Sequence, residues 1–198
     1  MTAPRDRKQA YERRAWRLAL LLTGDSAAAA MIALDAGRHK DLASLPADRL
    51  DRLVIQHARV MATGTRGPWP ASLPTPDPQI ARALAFLGSL PTQPRDAFIL
   101  QRIDGLNDLH TARAMDCSKT ALANHLAAAN EAFVTEFGDE TQSHIRSMRT
   151  YADSLNPDPA ISATRERQRR QRKQRRVLIA ILVSVGCLAT VAAILGSA

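Results

Sequence analysis

Apolar residues recur at three- and four-residue intervals along most of this chain, and that period predicts helix. Ala15, Leu18, Ala19 and Leu22 form one helical face that stops at Gly24. Asp25 is placed to cap an Ala-rich second helix, and Leu50, Leu53, Val54, His57, Ala58 and Met61 mark a third. Further on, Asp77 precedes Pro78 at a helix start, with Ile80, Leu84 and Leu87 on the buried stripe. Leu90-Pro91 ends that helix, Pro94 starts the next, and Phe98, Ile99, Leu100 and Ile103 follow before Asp104-Gly105 closes it. A short helix over Asp108–Met115, a tight Asp116-Cys117-Ser118 connection and a helix from Lys119 to about Phe133 come next. In that last helix Leu122, Leu126, Ala129 and Phe133 make one buried stripe and leave the opposite face free. Two short helices joined by so short a turn, the second with a free face, form the helix-turn-helix pattern.

Two interruptions divide the chain. Residues 64–78 hold five of the eleven prolines and no apolar period, so they read as a stiff linker between residues 1–63 and 79–137. After Phe133 the stretch to Asp158 is polar and only loosely periodic, through Phe137, Ile145, Met148 and Leu155, so residues 138–164 read as a packing or connecting helix followed by a stalk. From Val177 to Leu195 nineteen residues carry no charge. A helix needs about 20 apolar residues to cross a bilayer, so this run reads as a C-terminal transmembrane helix. The expected fold is therefore all-α: two small helical domains plus one membrane helix.

The formal charge of +8 resembles that of a nucleic-acid binder until it is located. Arg165, Arg167, Arg169, Arg170, Arg172, Lys173, Arg175 and Arg176, against the single acid Glu166, hold +7 of it in residues 165–176 and leave +1 for residues 1–164. That run reads as a topology-setting flank or anionic-lipid patch, or as a nucleic-acid arm; adjacency to the apolar run favours the first two jointly. The positive-inside rule then places residues 1–176 in the cytoplasm and the protein in the inner membrane.

Composition removes other classes. Aromatic residues make up 4% of the chain, against a sandwich or barrel. Cys117 and Cys187 are far apart and exclude a disulfide scaffold. The histidines His39, His57, His110, His125 and His144 have no metal-ligand spacing, and there is no Cys-x-x-Cys, Gly-rich phosphate loop or nucleophile-base pair. No enzyme and no cofactor is expected. His57 reads as a partly buried side chain of an apolar stripe, and Cys117 as filling a small space in the turn.

Residues 82–133 resemble region four of bacterial sigma factors of the extracytoplasmic-function type. Leu90-Pro91, Arg95, the run Phe98 to Leu100, Asp104-Gly105-Leu106, Ala112 and Cys117-Ser118 carry the resemblance, followed by the recognition-helix spacing of Leu122, Leu126, Ala129 and Phe133. The first domain resembles region two through AWRLALLLTGD (15–25) and LDRLVIQHAR (50–59). The resemblance implies a transcription regulator with promoter DNA, RNA polymerase core, or another sigma or anti-sigma protein as partner.

The sequence also departs from that family. Ala30, Met31, Leu34 and Asp35 stand where the resemblance implies polar polymerase-binding residues. Ala123, His125, Ala128 and Asn130 stand where the recognition helix usually carries Lys or Arg. Residues 82–133 hold five basic and five acidic side chains, a net charge of zero, whereas phosphate contacts supply most DNA affinity. Lys119, Thr120, Asn124 and His125 remain as candidate DNA contacts, with Asn124 of a type that reads an adenine edge. Two functions stay open: a membrane-anchored sigma-like regulator with weakened DNA and polymerase contacts, and a degenerate sigma fold serving as a membrane-tethered protein-docking module.

Overall fold

A computed structural model of the chain describes residues 4–38, 47–62, 77–171 and 173–175. The helices are α1 (Pro4–Thr23), α2 (Ser26–Ala36), α3 (Ala47–Ala62), α4 (Pro78–Ser89), α5 (Thr92–Phe98), α6 (Asp108–Met115), α7 (Lys119–Phe137) and α8 (Thr141–Ser154), and residues 158–171 are also helical. The described residues up to Ile161 form one compact unit, and those from Ser162 onward belong to a second.

Local chemistry sets the boundaries. Gly24 ends α1 with a φ of 67°, which suits a residue without Cβ. The Asp25 carboxylate then accepts the Ala27 and Ala28 N–H groups at 2.7 and 3.2 Å, satisfying two donors left open at the start of α2. Asp77 does the same for Gln79 at 2.8 Å with Pro78 in the first turn. Leu90 is extended before Pro91, as a residue preceding proline must be. α5 starts at Thr92 rather than at Pro94, because a proline is accommodated anywhere in a first turn, where its missing N–H leaves nothing unpaired. It continues into a π-helical turn, Ile99–Ile103, closed by the Asp104 N–H on the Ile99 carbonyl at 2.8 Å. α7 runs four residues past the expected end to Phe137 and stops at Gly138, whose φ is 53°.

The core follows the apolar stripes. Leu18, Leu20, Ile32, Val54 and Ile55 join α1, α2 and α3, and Leu87, Phe98, Ile99, Leu100, Leu122, Phe133 and Met148 join α4 to α8. Phe98 and Phe133 stack at 4.2 Å, with Phe86 edge-on to Phe133 at 5.0 Å. Such aromatic pairs add about 0.5–1.5 kcal/mol beyond their buried area. α8 packs into this core through Ile145, Met148, Tyr151 and Ala152.

Two expectations need correction. His57 does not share the buried stripe of α3; burial centres on Leu50, Val54, Ile55 and Ala58, so the stripe is rotated toward Ile55 and the imidazole faces water. The fold class keeps its all-α character among the described residues but not its transmembrane helix. No described helix is long and apolar enough to cross a membrane. The two longest, α1 and α7, carry eight charged side chains in 20 residues and three in 19, each costly to place in hydrocarbon. The run 177–195 expected to cross the bilayer, and the Pro-rich stretch 64–76, lie outside the described residues.

Candidate nucleic-acid interface

The expected helix-turn-helix is α6, the connection Asp116 to Ser118, and α7. Asn107 accepts the His110 N–H at 2.9 Å to start α6. α6 ends in a reversal in which the Cys117 N–H donates to the Ala112 carbonyl at 3.0 Å and the Asp116 N–H to the Arg113 carbonyl at 3.3 Å. These two bonds define a Schellman end. They place Asp116 in the left-handed region, φ 57° and ψ 46°, which short polar side chains tolerate better than most. Ser118 then accepts the Ala121 N–H at 3.1 Å and starts α7.

α7 buries Leu122, Ala129, Phe133 and Phe137 and half-buries Leu126, so its opposite face is open. Thr120 and Asn124, one turn apart, lie exposed on that face with Ala123, Ala127 and Ala128. His125 is half-buried on the flank. Lys119 is exposed at the helix start and borders a cleft that it does not share with Thr120, Asn124 or His125.

That cleft, about 700 Å³, lies between α3, α6 and the start of α7. Arg49 and Arg52 of α3, Arg113 of α6 and Lys119 of α7 line it, with Asp116 and Cys117 from the turn. The α3 arginines were invisible to a charge count confined to residues 82–133, because Arg52 meets Asp116 from 64 residues away in sequence, at 2.5 Å. Burial is the main influence on the Cys117 thiol and pushes it up from its ordinary value, with the Asp116 carboxylate adding to this and Arg59 opposing it. A thiol shifted in that direction is a poor nucleophile at neutral pH.

The position of α3 is set by deeper ion pairs. Arg59 donates to Asp96 at 3.0 Å, and Arg95 lies 3.5 Å from the same carboxylate, which is 2% exposed. Burial dominates there and raises the Asp96 carboxyl above the usual range, although Arg95 and Arg59 pull the other way. Arg14 of α1 bridges Asp51 at 2.9 Å and Asp104 at 2.8 Å. Burial works against the Arg14 charge, but the two carboxylates outweigh it and hold its proton more tightly than usual. Asp104 directly follows the π-helical turn and closes it through its N–H.

The four positions where the resemblance implies polar polymerase-binding residues, and where this chain departs from it, divide. Ala30 and Leu34 are buried in the helix core, while Met31 and Asp35 are exposed, the latter paired with Arg38 at 2.8 Å. Of the basic run, Arg165, Arg167, Arg169, Arg170, Lys173 and Arg175 are exposed on helical backbone, with Arg170 paired to Glu166 at 3.0 Å. Arg172 and Arg176 lie outside the residues whose side chains are described. Compared with family models, with curated proteins and with solved structures, the chain matches none.

Proposed function

We propose that this chain is a sigma-factor-like transcription regulator that engages DNA through α7, with affinity reduced relative to a fully basic recognition helix. The observation that carries the reading is the open α7 face, Thr120, Ala123, Asn124, Ala127 and Ala128, presented by a three-residue turn from α6. A helix about 10–12 Å across with a free face fits the major groove. Asn124 then pairs with an adenine edge, and Thr120 reads a base or a phosphate. The reading assigns no catalytic step.

The alternative is a docking module for RNA polymerase core, another sigma or an anti-sigma protein. It is favoured by the three alanines on the same face and by Val134, 56% exposed one turn from its end. Binding-site selection from a random duplex pool, followed by fluorescence anisotropy on the selected sequences, separates the two. Enrichment of a defined sequence supports the first reading. No enrichment, together with saturable binding of purified polymerase core, replaces it with the second.

A further inference from the structure

We infer that the cleft between α3, α6 and the start of α7 is the phosphate site of this helix-turn-helix, with DNA backbone phosphodiesters as its ligand and α3 supplying the cations that α7 lacks. The inference rests on the DNA reading above and specifies where its phosphate contacts lie. Four cationic side chains, Arg49, Arg52, Arg113 and Lys119, converge on one cleft from three separate helices. Asp116 is the single carboxylate lining it, and Arg52 is its partner. At about 700 Å³ the space lies within the range of ligand-sized clefts and exceeds what one ion pair fills.

The chemistry favours an exchange. Asp116 is 67% exposed and Arg52 40%, so their pair is a surface pair of little net worth. A phosphodiester offers Arg52 a bidentate partner and does not require the carboxylate to become buried. Lys119 stands at the start of the helix that carries Thr120 and Asn124, so a phosphate held here fixes the register of α7 over the bases. Phosphate contact and base contact are thereby contributed by different parts of the fold, which explains why α7 itself carries one lysine and no arginine.

The test uses the full chain and a fluorescein-labelled duplex pool of random sequence, with anisotropy titrations across a salt series. Arg49→Ala and Arg52→Ala should each lower affinity about five- to tenfold near 0.1 M salt and flatten the slope of log affinity against log salt by about 0.9. Asp116→Asn removes the competing carboxylate while keeping a residue type tolerant of left-handed backbone, so it should raise affinity severalfold. Circular dichroism checks that all three variants keep the wild-type fold. If the wild-type chain binds duplex but Arg49→Ala and Asp116→Asn change neither affinity nor slope, the cleft is not the phosphate site and the DNA reading stands alone. If the wild-type chain binds no duplex even at low salt, the DNA reading itself fails and the cleft assignment falls with it.

Discussion

Replacing Asp96 by Asn removes one charge from the junction that holds α3 against α5 and changes almost no volume. The carboxylate is 2% exposed and lies beside Arg59 and Arg95, whose side chains are 32% and 12% exposed. Taking one partner from a fully buried ion pair costs about 3–5 kcal/mol, because the remaining charge has no compensation. Here burial outweighs both arginines, so the lost charge is not what the substitution costs; the expected cost is that of imperfect hydrogen bonding by the amide in a buried site, about 1–3 kcal/mol. For a domain of this size 2 kcal/mol lowers the melting temperature by roughly 4–8 °C. The pH dependence is more diagnostic than the size. Burial raises the folded-state carboxyl of Asp96 above its unfolded value, so the folded chain binds a proton more readily than the unfolded chain. Its contribution to stability is then fully present below the unfolded value, near 3.9, and is lost as pH rises through the raised folded value. Asn cannot titrate, so Asp96→Asn should cost more at pH 3.5 than at pH 7. Urea unfolding followed by circular dichroism at both pH values measures this. A cost that grows from acid to neutral pH would show that the arginines outweigh burial, and the reasoning would be refuted.

Three further outcomes follow from the same structure. Phe133→Ala should destabilise by about 3–5 kcal/mol, since a fully buried ring stacked on Phe98 leaves a cavity that neighbouring helices fill only in part; denaturant melts check it. Ala123→Lys with Ala128→Arg, both at exposed positions off the buried stripe, should leave the melting temperature within about 1 °C while steepening the salt slope of DNA binding by up to about 1.8, and should weaken polymerase-core binding if the face is a docking surface instead. Cys117 should react slowly with iodoacetamide at pH 7, still be accelerating at pH 9 because burial raises its thiol, and be protected by bound duplex because it lines the phosphate cleft; peptide mass spectrometry reads the site.

The helices, their caps and the turn were legible in the sequence because each rests on local chemistry. Asp25, Asp77 and Ser118 cap where a short acceptor before an apolar period must cap, and α6 spans Asp108–Met115 as its spacing requires. The end of α7 was less legible: Phe137, four residues after Phe133, extends the buried stripe, but it stands in a polar stretch and reads equally well as the first apolar residue of the next helix. The orientation of α3 was missed for a related reason: His57 and Ile55 both lie near the edge of the apolar arc, and only tertiary packing decides which is buried. The candidate site was legible in half. Thr120 and Asn124 follow from the free face of one helix, whereas the cleft at its start, where Lys119 stands with Arg49 and Arg52, exists only through the fold. No local pattern links an arginine in one helix to an aspartate 64 residues later.

The ion pairs that tie α1 and α3 to α5, to the π-helical turn and to the connection after α6 are graded by depth, and the grading decides what a polyanion can do to them. Asp96 is 2% exposed, so exchanging its partners means leaving a buried carboxylate beside fewer cations, which is costly. Asp104, 24% exposed and bound to Arg14, is intermediate. Asp116 is mostly exposed, and its carboxylate regains hydration as soon as Arg52 leaves. Under the proposed DNA reading, a phosphate chain at α7 would displace the outermost pair while the inner two keep α3 in place. Under the docking alternative the same order holds, with an acidic segment of a protein partner taking the role of the phosphates, and Asp116→Asn should strengthen that capture too. The inner pairs predict the converse: Asp96→Asn, by loosening α3, should weaken capture of either ligand although Asp96 touches neither.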